Sequence, residues 1–243
     1  MAACYSFPMR EKQCVIFIGP PGAGKDTQSE LLADDFGFNH FRTSHIIEEK
    51  IKNADPNDLV LKQAKTDYDS GKLVNFKLVA SWVIDKIRAL SEASKSIVFS
   101  GSFRTVEEAS VEIPVCEELY GRENIHFVYI PISEETSIKR NSSRRICEAR
   151  QHPFPDFPEY RELKACPKDG SAIITRSIDD PKIITVRYQT YLQDTKPVLE
   201  YVESLKFPVI KVDGEQGIRE VHEEILKRID ESFHEGEAGM VFR

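Results

Sequence analysis

The chain has 243 residues, 40% of them hydrophobic, and a formal net charge of −7. That is enough for one good core with smaller inserted lobes, and the acidity argues against a nucleic-acid polymer as partner. No apolar run approaches the roughly 20 residues of a membrane span, and "MAACYSFPMREKQC" lacks the apolar centre of a signal peptide, so the expectation is a cytoplasmic chain without a membrane partner.

In chain order, "CVIFIG" (14–19) reads as a buried parallel strand, and "TQSELLADDFG" (27–37) as a helix stopped by glycine. Helical spacing recurs in 75–93, 105–121 and 181–205. Further buried strands are expected at "SIVFSG" (96–101), "IHFVYIPI" (125–132) and "FPVIKVDG" (207–214). Alternation of strand and helix predicts an α/β fold around a parallel sheet. The segment 147–173, rich in proline, aromatics and charge, breaks the alternation and reads as a small inserted lobe. The stretch "ESFHEGEAGMVFR" is weakly patterned and expected to fray. Five scattered cysteines, Cys4, Cys14, Cys116, Cys147 and Cys166, fit reduced thiols better than a disulfide framework.

Gly19 to Lys25 matches G-x-x-x-x-G-K between the first strand and the first helix, the context a phosphate loop needs. Its glycines let backbone N–H groups turn toward phosphate oxygens. The helix adds its positive end, and Lys25 a mobile charge. The residue after that lysine is ordinarily a Mg²⁺-contacting hydroxyl; here it is Asp26. P-loop folds usually place an acid at the end of a neighbouring strand; here that residue is Ser100.

"GPPGAGKDTQ" (19–28), "FGFNHFRTS" (36–44), "KQAKTDYDSGKLVNFKLV" (62–79), "GSFRTVEEA" (101–109), "RNSSRRIC" (140–147), "ITRSIDD" (174–180) and "YLQDTKPVLEYV" (191–202) together resemble the adenylate kinase family. The resemblance spans about Cys14 to Ile229. It implies a P-loop NTPase fold with a five-stranded parallel sheet: core 14–41, 75–142 and 180–230, a monophosphate-binding lobe at 42–74, and a long lid at 143–179. It also implies Mg²⁺-dependent, reversible transfer of the ATP γ-phosphoryl to a nucleoside monophosphate, AMP in the first instance, by a monomer. The catalytic residues it implies are Lys25, Arg104, Arg140, Arg144, Arg176 and Arg187. ATP would be held by Gly19, Gly22, Ala23, Gly24, Lys25, Asp26, Thr27, Arg140 and Arg144. The monophosphate would be held by Thr43, Val74, Gly101, Arg104, Glu108, Arg176 and Arg187. The chemistry agrees, because phosphoryl transfer needs positioning and charge neutralisation, which planar guanidinium groups supply.

Four positions depart from the family pattern. Asp26 replaces a glycine and Ser100 an aspartate, as though acid and small residue had changed places around one Mg²⁺. Glu48 stands for an arginine, and Glu108 for the glutamine that reads adenine. An ionised Glu108 only accepts hydrogen bonds and would suit guanine, so GMP, CMP or UMP stay open beside AMP. In the lid, Cys147, Cys166 and Asp169 match three zinc positions of the family, but the fourth is Arg150. His152 fits only by irregular spacing, and a metal-free lobe with Arg150 paired to Asp169 is the favoured expectation. A nucleotide-binding protein with little catalysis is the competing reading, supported by Glu48 and Ser100 and opposed by the five retained arginines.

Overall fold

Strand β1 (Cys14–Ile18) is buried along its whole length and sends alternate side chains to opposite faces. Cys14, Ile16 and Ile18 enter one core layer, and Val15 and Phe17 the other. A strand covered on both sides must lie inside a sheet flanked by helices. The computed structural model, which describes residues 11–240 apart from 56, 150, 151 and 157, has that form. Its main sheet joins β1, β2 (Asn39–Phe41), β3 (Ile97–Phe99), β4 (Ile125–Tyr129) and a last strand, β8 (Val209–Lys211), in the order β2-β3-β1-β4-β8. All four pairings are parallel.

Five helices carry much of the site: α1 (Lys25–Phe36), α2 (Thr43–Lys52), α3 (Leu59–Asp69), α4 (Phe76–Glu92) and α5 (Val106–Tyr120). On the α4–α5 side, Phe41, Phe99, Phe103, Phe127 and Phe207 form a continuous aromatic row, with neighbouring ring centroids 5.0–6.2 Å apart. Helix α6 (Glu134–Ser143) then leads into a second, antiparallel sheet of order β6-β5-β7, made of β5 (Arg145–Cys147), β6 (Pro153–Phe154) and β7 (Ile173–Ile174). Its small core is Cys147, Phe154 and Cys166, with Tyr160, Leu163 and Ile173 packed against it.

The stretch 181–205, read from its periodicity as one helix, is three pieces. Asp180 caps α7 (Pro181–Thr190), a wider turn follows at Tyr191–Thr195, and Pro197 opens the helix that ends at Ser204. Arg176 lies before this helix and Arg187 within it. β2 was not among the strands expected from hydrophobicity. The last helix runs Ile218–Met240, through the stretch expected to fray. Cys4 and Arg150 lie outside the described residues. Among the described residues, no helix is long and apolar enough to cross a membrane.

Candidate active site

The loop after β1 turns at Gly22 and Gly24, whose φ angles are +79° and +92°. A Cβ at Gly22 would also meet the Asn141 amide nitrogen at 2.6 Å, so this position needs glycine for space as well as for torsion. The loop opens into a cleft of about 680 Å³. Lining it are Gly22, Ala23, Gly24, Lys25, Asp26 and Thr27 from the loop; Thr43 and Val74; Ser100, Gly101, Arg104 and Glu108; and Arg140, Arg144, Arg176 and Arg187. Of the residues expected to hold ATP and the monophosphate, Gly19 alone is not on this lining.

The cations crowd one another. Burial drives the Lys25 ammonium well below its usual range, and Arg104, Arg187 and Arg144 push it further down, against the pull of Asp26. Lys25 meanwhile donates to the carbonyls of Gly19 and Pro20 at 2.7 and 2.8 Å. Burial and then the charges of Arg144 and Arg176 bring the Arg187 guanidinium down to about 9. Arg144 is anchored by two 2.9 Å bonds to Asp179, which also lies 3.4 Å from Arg187. Arg104 donates to the Gly101 carbonyl at 2.8 Å, and Arg140 to that of Gly214 at 2.8 Å. Like charges packed this closely are costly until an anion enters, so the cleft is built for a polyanion.

Arg176 faces a different acid from Arg144 and Arg187. Its guanidinium donates to the Tyr68 hydroxyl at 2.7 Å and to Glu48 at 3.2 Å, and Tyr68 donates to the same carboxylate. Glu48, which replaces a cation in the resemblance, thus occupies a neighbouring one.

Asp26 and Ser100 do meet. The Ser100 hydroxyl donates to Asp26 Oδ1 at 2.7 Å, and His40 Nε2 lies 2.9 Å from that hydroxyl. Burial opposes ionisation of Asp26, but the hydrogen bond and charge of His40, then Arg42 and Ser100, hold its carboxyl well below the usual range. Its side chain keeps 41% of its surface exposed, so it remains open to a ligand.

Thr43 is buried and shares a 2.7 Å hydrogen bond with Ser102. Glu108 is 2% exposed, and one of its oxygens accepts from the Arg104 backbone N–H at 2.6 Å.

In the small sheet, Cys147, Cys166, Asp169 and His152 bring their donor atoms within 4.8 Å of one another. His152 Nδ1 is 3.4 Å from Cys147 Sγ, 3.3 Å from Cys166 Sγ and 3.3 Å from Asp169 Oδ2. The metal-free expectation rested on the spacing of His152, and the fold brings that side chain to the other three candidate ligands. β5 and β6 pair as antiparallel neighbours, which folds His152 back over Cys147 and makes its spacing in the chain irrelevant.

Sequence reasoning did not single out Asp179, Tyr68, Glu30, His40 or Arg42. The acidic pair before Pro181 was the available signal for Asp179, since one acid caps the helix and the other is left to face the arginines.

A parallel sheet with a phosphate loop at the end of its central strand, under converging cations, defines a P-loop phosphotransferase. The family model for adenylate kinase matches residues 17–206. Among similar curated proteins, the adenylate kinase of Chlamydia pneumoniae is 32% identical over 222 residues, covering 91% of this chain and 99% of the relative. That of Brevibacillus brevis is 31% identical over 214 residues (87% and 96%), and that of Petrotoga mobilis 30% over 213 residues (87% and 95%). The chain belongs to the adenylate kinase family and is a nucleoside monophosphate kinase.

Proposed function

We propose that the chain catalyses reversible transfer of the ATP γ-phosphoryl to AMP, giving two ADP. The observation that carries the reading is the mutual crowding of Lys25, Arg104, Arg144 and Arg187 beside the phosphate loop. In this reading the loop N–H groups and Lys25 cradle the triphosphate, with Arg140 and Arg144. Thr43, Val74 and Gly101 border the monophosphate, whose phosphate meets Arg104 and Arg187. Arg176 joins them once it leaves Glu48. Residues 42–74 and 143–179 act as lobes closing over the core, which excludes water that would otherwise hydrolyse ATP. We place the protein in the cytoplasm as a monomer, where its free thiols Cys14, Cys116, Cys147 and Cys166 remain reduced.

AMP is favoured over GMP by the similarity to relatives named adenylate kinase, and the direction of the Glu108 shift is compatible with it. Burial raises its carboxyl above the usual carboxylate range, against the pull of the Arg104 N–H and charge. Protonated, that carboxyl offers one donor and one acceptor, as the family's glutamine does, which suits adenine; ionised, it only accepts. A coupled assay of ADP formation with AMP, GMP, CMP and UMP tests this: AMP is expected to lead in kcat/KM, and turnover fastest with GMP would overturn it.

Mg²⁺ would neutralise charge on the β- and γ-phosphates, and Asp26, with Ser100 beside it, is the residue to hold it. The donor chemistry fits, since an ionised carboxylate open to the cleft is a hard oxygen ligand. Asp26→Gly is expected to weaken the Mg²⁺ dependence of activity, and adding Ser100→Asp to restore it. An unchanged Mg²⁺ titration in Asp26→Gly would reduce Asp26 to a helix-end residue.

The lid cluster fits Zn²⁺. Bonds of about 2.0–2.3 Å in a tetrahedron set ligand atoms roughly 3.3–3.8 Å apart, and the distances from His152 Nδ1 are 3.3–3.4 Å. Ser171 fixes the other oxygen of Asp169 through its N–H at 2.9 Å and hydroxyl at 2.6 Å, as outer partners of metal ligands do.

A further inference from the structure

The nitrogen of His152 that faces the cluster is Nδ1. Its other nitrogen, Nε2, points out of the lid toward Glu30 on α1, 4.0 Å from Oε2. The same carboxylate receives a second lid group: Lys168, which lies between the ligands Cys166 and Asp169 in the chain, reaches Glu30 Oε2 at 3.0 Å and Asp34 at 2.7 Å. The far oxygen of Glu30 looks the other way. It binds the Arg42 guanidinium and lies 3.4 Å from His40 Nδ1. His40 Nε2 in turn sits 2.9 Å from Ser100, the residue that donates to Asp26 in the phosphate loop. One carboxylate therefore has an oxygen on the lid cluster and an oxygen on the chain of contacts leading to the nucleotide site.

We infer that Glu30 is a positioning residue that joins the lid's metal shell to the phosphate-loop side of the core, so that metal binding and lid closure strengthen each other. This rests on the zinc reading of Cys147, His152, Cys166 and Asp169. A histidine held to a metal through Nδ1 keeps its proton on Nε2, and a carboxylate 4.0 Å from that nitrogen attracts it electrostatically, one short approach from a hydrogen bond. In this structure His152 and Lys168 both lie against α1 at Glu30, and opening the lid would part them from it. The two side chains are 15% and 13% exposed, and solvent screens their attraction less than it would a surface pair. Lys168 is 44% exposed and contributes the weaker part of the clasp. Thermodynamic linkage then requires reciprocity: whatever factor closure adds to metal affinity, the metal adds to the affinity of any ligand that closes the lid.

The test uses Co²⁺ as a spectroscopic stand-in for zinc and a bisubstrate analogue, two adenosines joined by a phosphate chain, to close the lid. In the native chain the analogue is expected to tighten Co²⁺ binding about tenfold, and Co²⁺ to tighten the analogue by the same factor, since outer-shell partners and allosteric couplings are of that order. Glu30→Gln is expected to bring both factors close to one. Because Glu30 also holds Arg42, a second variant guards against misfolding: His152→Cys keeps a metal ligand at that corner but removes the arm to Glu30, and should lose the coupling too. Coupling that survives in either variant, or its absence in the native chain, overturns the inference and leaves the zinc site standing. A native chain that binds no Co²⁺ at the lid overturns the zinc reading, and this inference with it.

Discussion

In the central sheet, β1 pairs with β4 over five residues, and both core layers draw on those strands. In the lid, β5 pairs with each neighbour over two residues, and two of the three buried core side chains are the cysteines of the ligand cluster. The first region is stabilised by apolar area removed from water, at about 25 cal/mol per Å². The second has far less such area, and its four candidate ligands bring their donor atoms within 4.8 Å of one another. A region with so small a core opens more readily than one built on a packed sheet.

The largest effects are expected where the two regions meet the phosphates. Arg104→Ala and Arg144→Ala should each lower turnover by on the order of 10³ while leaving the thermal midpoint nearly unchanged, since each guanidinium positions charge. Arg104 belongs to the core side and Arg144 to the lid side. Steady-state kinetics beside thermal melts checks both, and a drop below about tenfold in each would mean that the transfer site lies elsewhere.

Next come two phenylalanines that contrast the regions directly. Phe127 is fully buried in the aromatic row, 5.2 Å from Phe207. Phe127→Ala should cost about 3–5 kcal/mol of global stability by chemical denaturation. Phe154 packs at 5.8 Å on Tyr160 inside the lid. Phe154→Ala should leave the global midpoint close to native and instead speed amide exchange in residues 145–174. Equal global losses would show that core and lid unfold as one unit.

The same contrast governs how much was legible in the amino-acid sequence. Long β-branched runs such as "CVIFIG" announce buried strands, and G-x-x-x-x-G-K between strand and helix announces a phosphate loop, because both are local patterns. β2 escaped because "NHF" carries no such pattern; its role follows from its place beside β3. The break within 181–205 escaped because apolar spacing continues through Tyr191–Thr195 although the backbone widens there. His152 escaped as a full member of the lid cluster for a related reason. Spacing rules count residues along the chain, whereas a ligand set is a matter of distance across a hairpin. Glu30, His40 and Arg42 are unremarkable one by one, and only the packing of α1 against β2 makes them neighbours.

The smallest effect concerns the base pocket and separates core electrostatics from lid chemistry. Glu108 lies one helical turn before Glu112, which is fully buried, accepts from the Phe103 N–H at 3.2 Å and keeps its other oxygen without a protein partner. Burial, then repulsion from Glu108, pushes the Glu112 carboxyl well above its ordinary range, and burial raises Glu108 as well. For a carboxyl raised in the folded state the sign is the reverse of the usual case. The protonated form is favoured by folding, its stabilisation is full below the unfolded value, and it fades as pH rises through the folded value. If the neutral carboxyl of Glu108 donates to adenine, rising pH removes that donor. The KM for AMP should then climb a fewfold from mildly acidic to alkaline pH, while the KM for ATP, which does not meet Glu108, stays nearly flat. Glu108→Gln carries a permanent donor and should hold the KM for AMP at its low-pH value throughout. Glu112→Gln keeps a neutral group at that position and should leave the rise where it is. An AMP KM that is flat with pH in the native chain, or equally steep in Glu108→Gln, would show that adenine is read by other groups in the cleft.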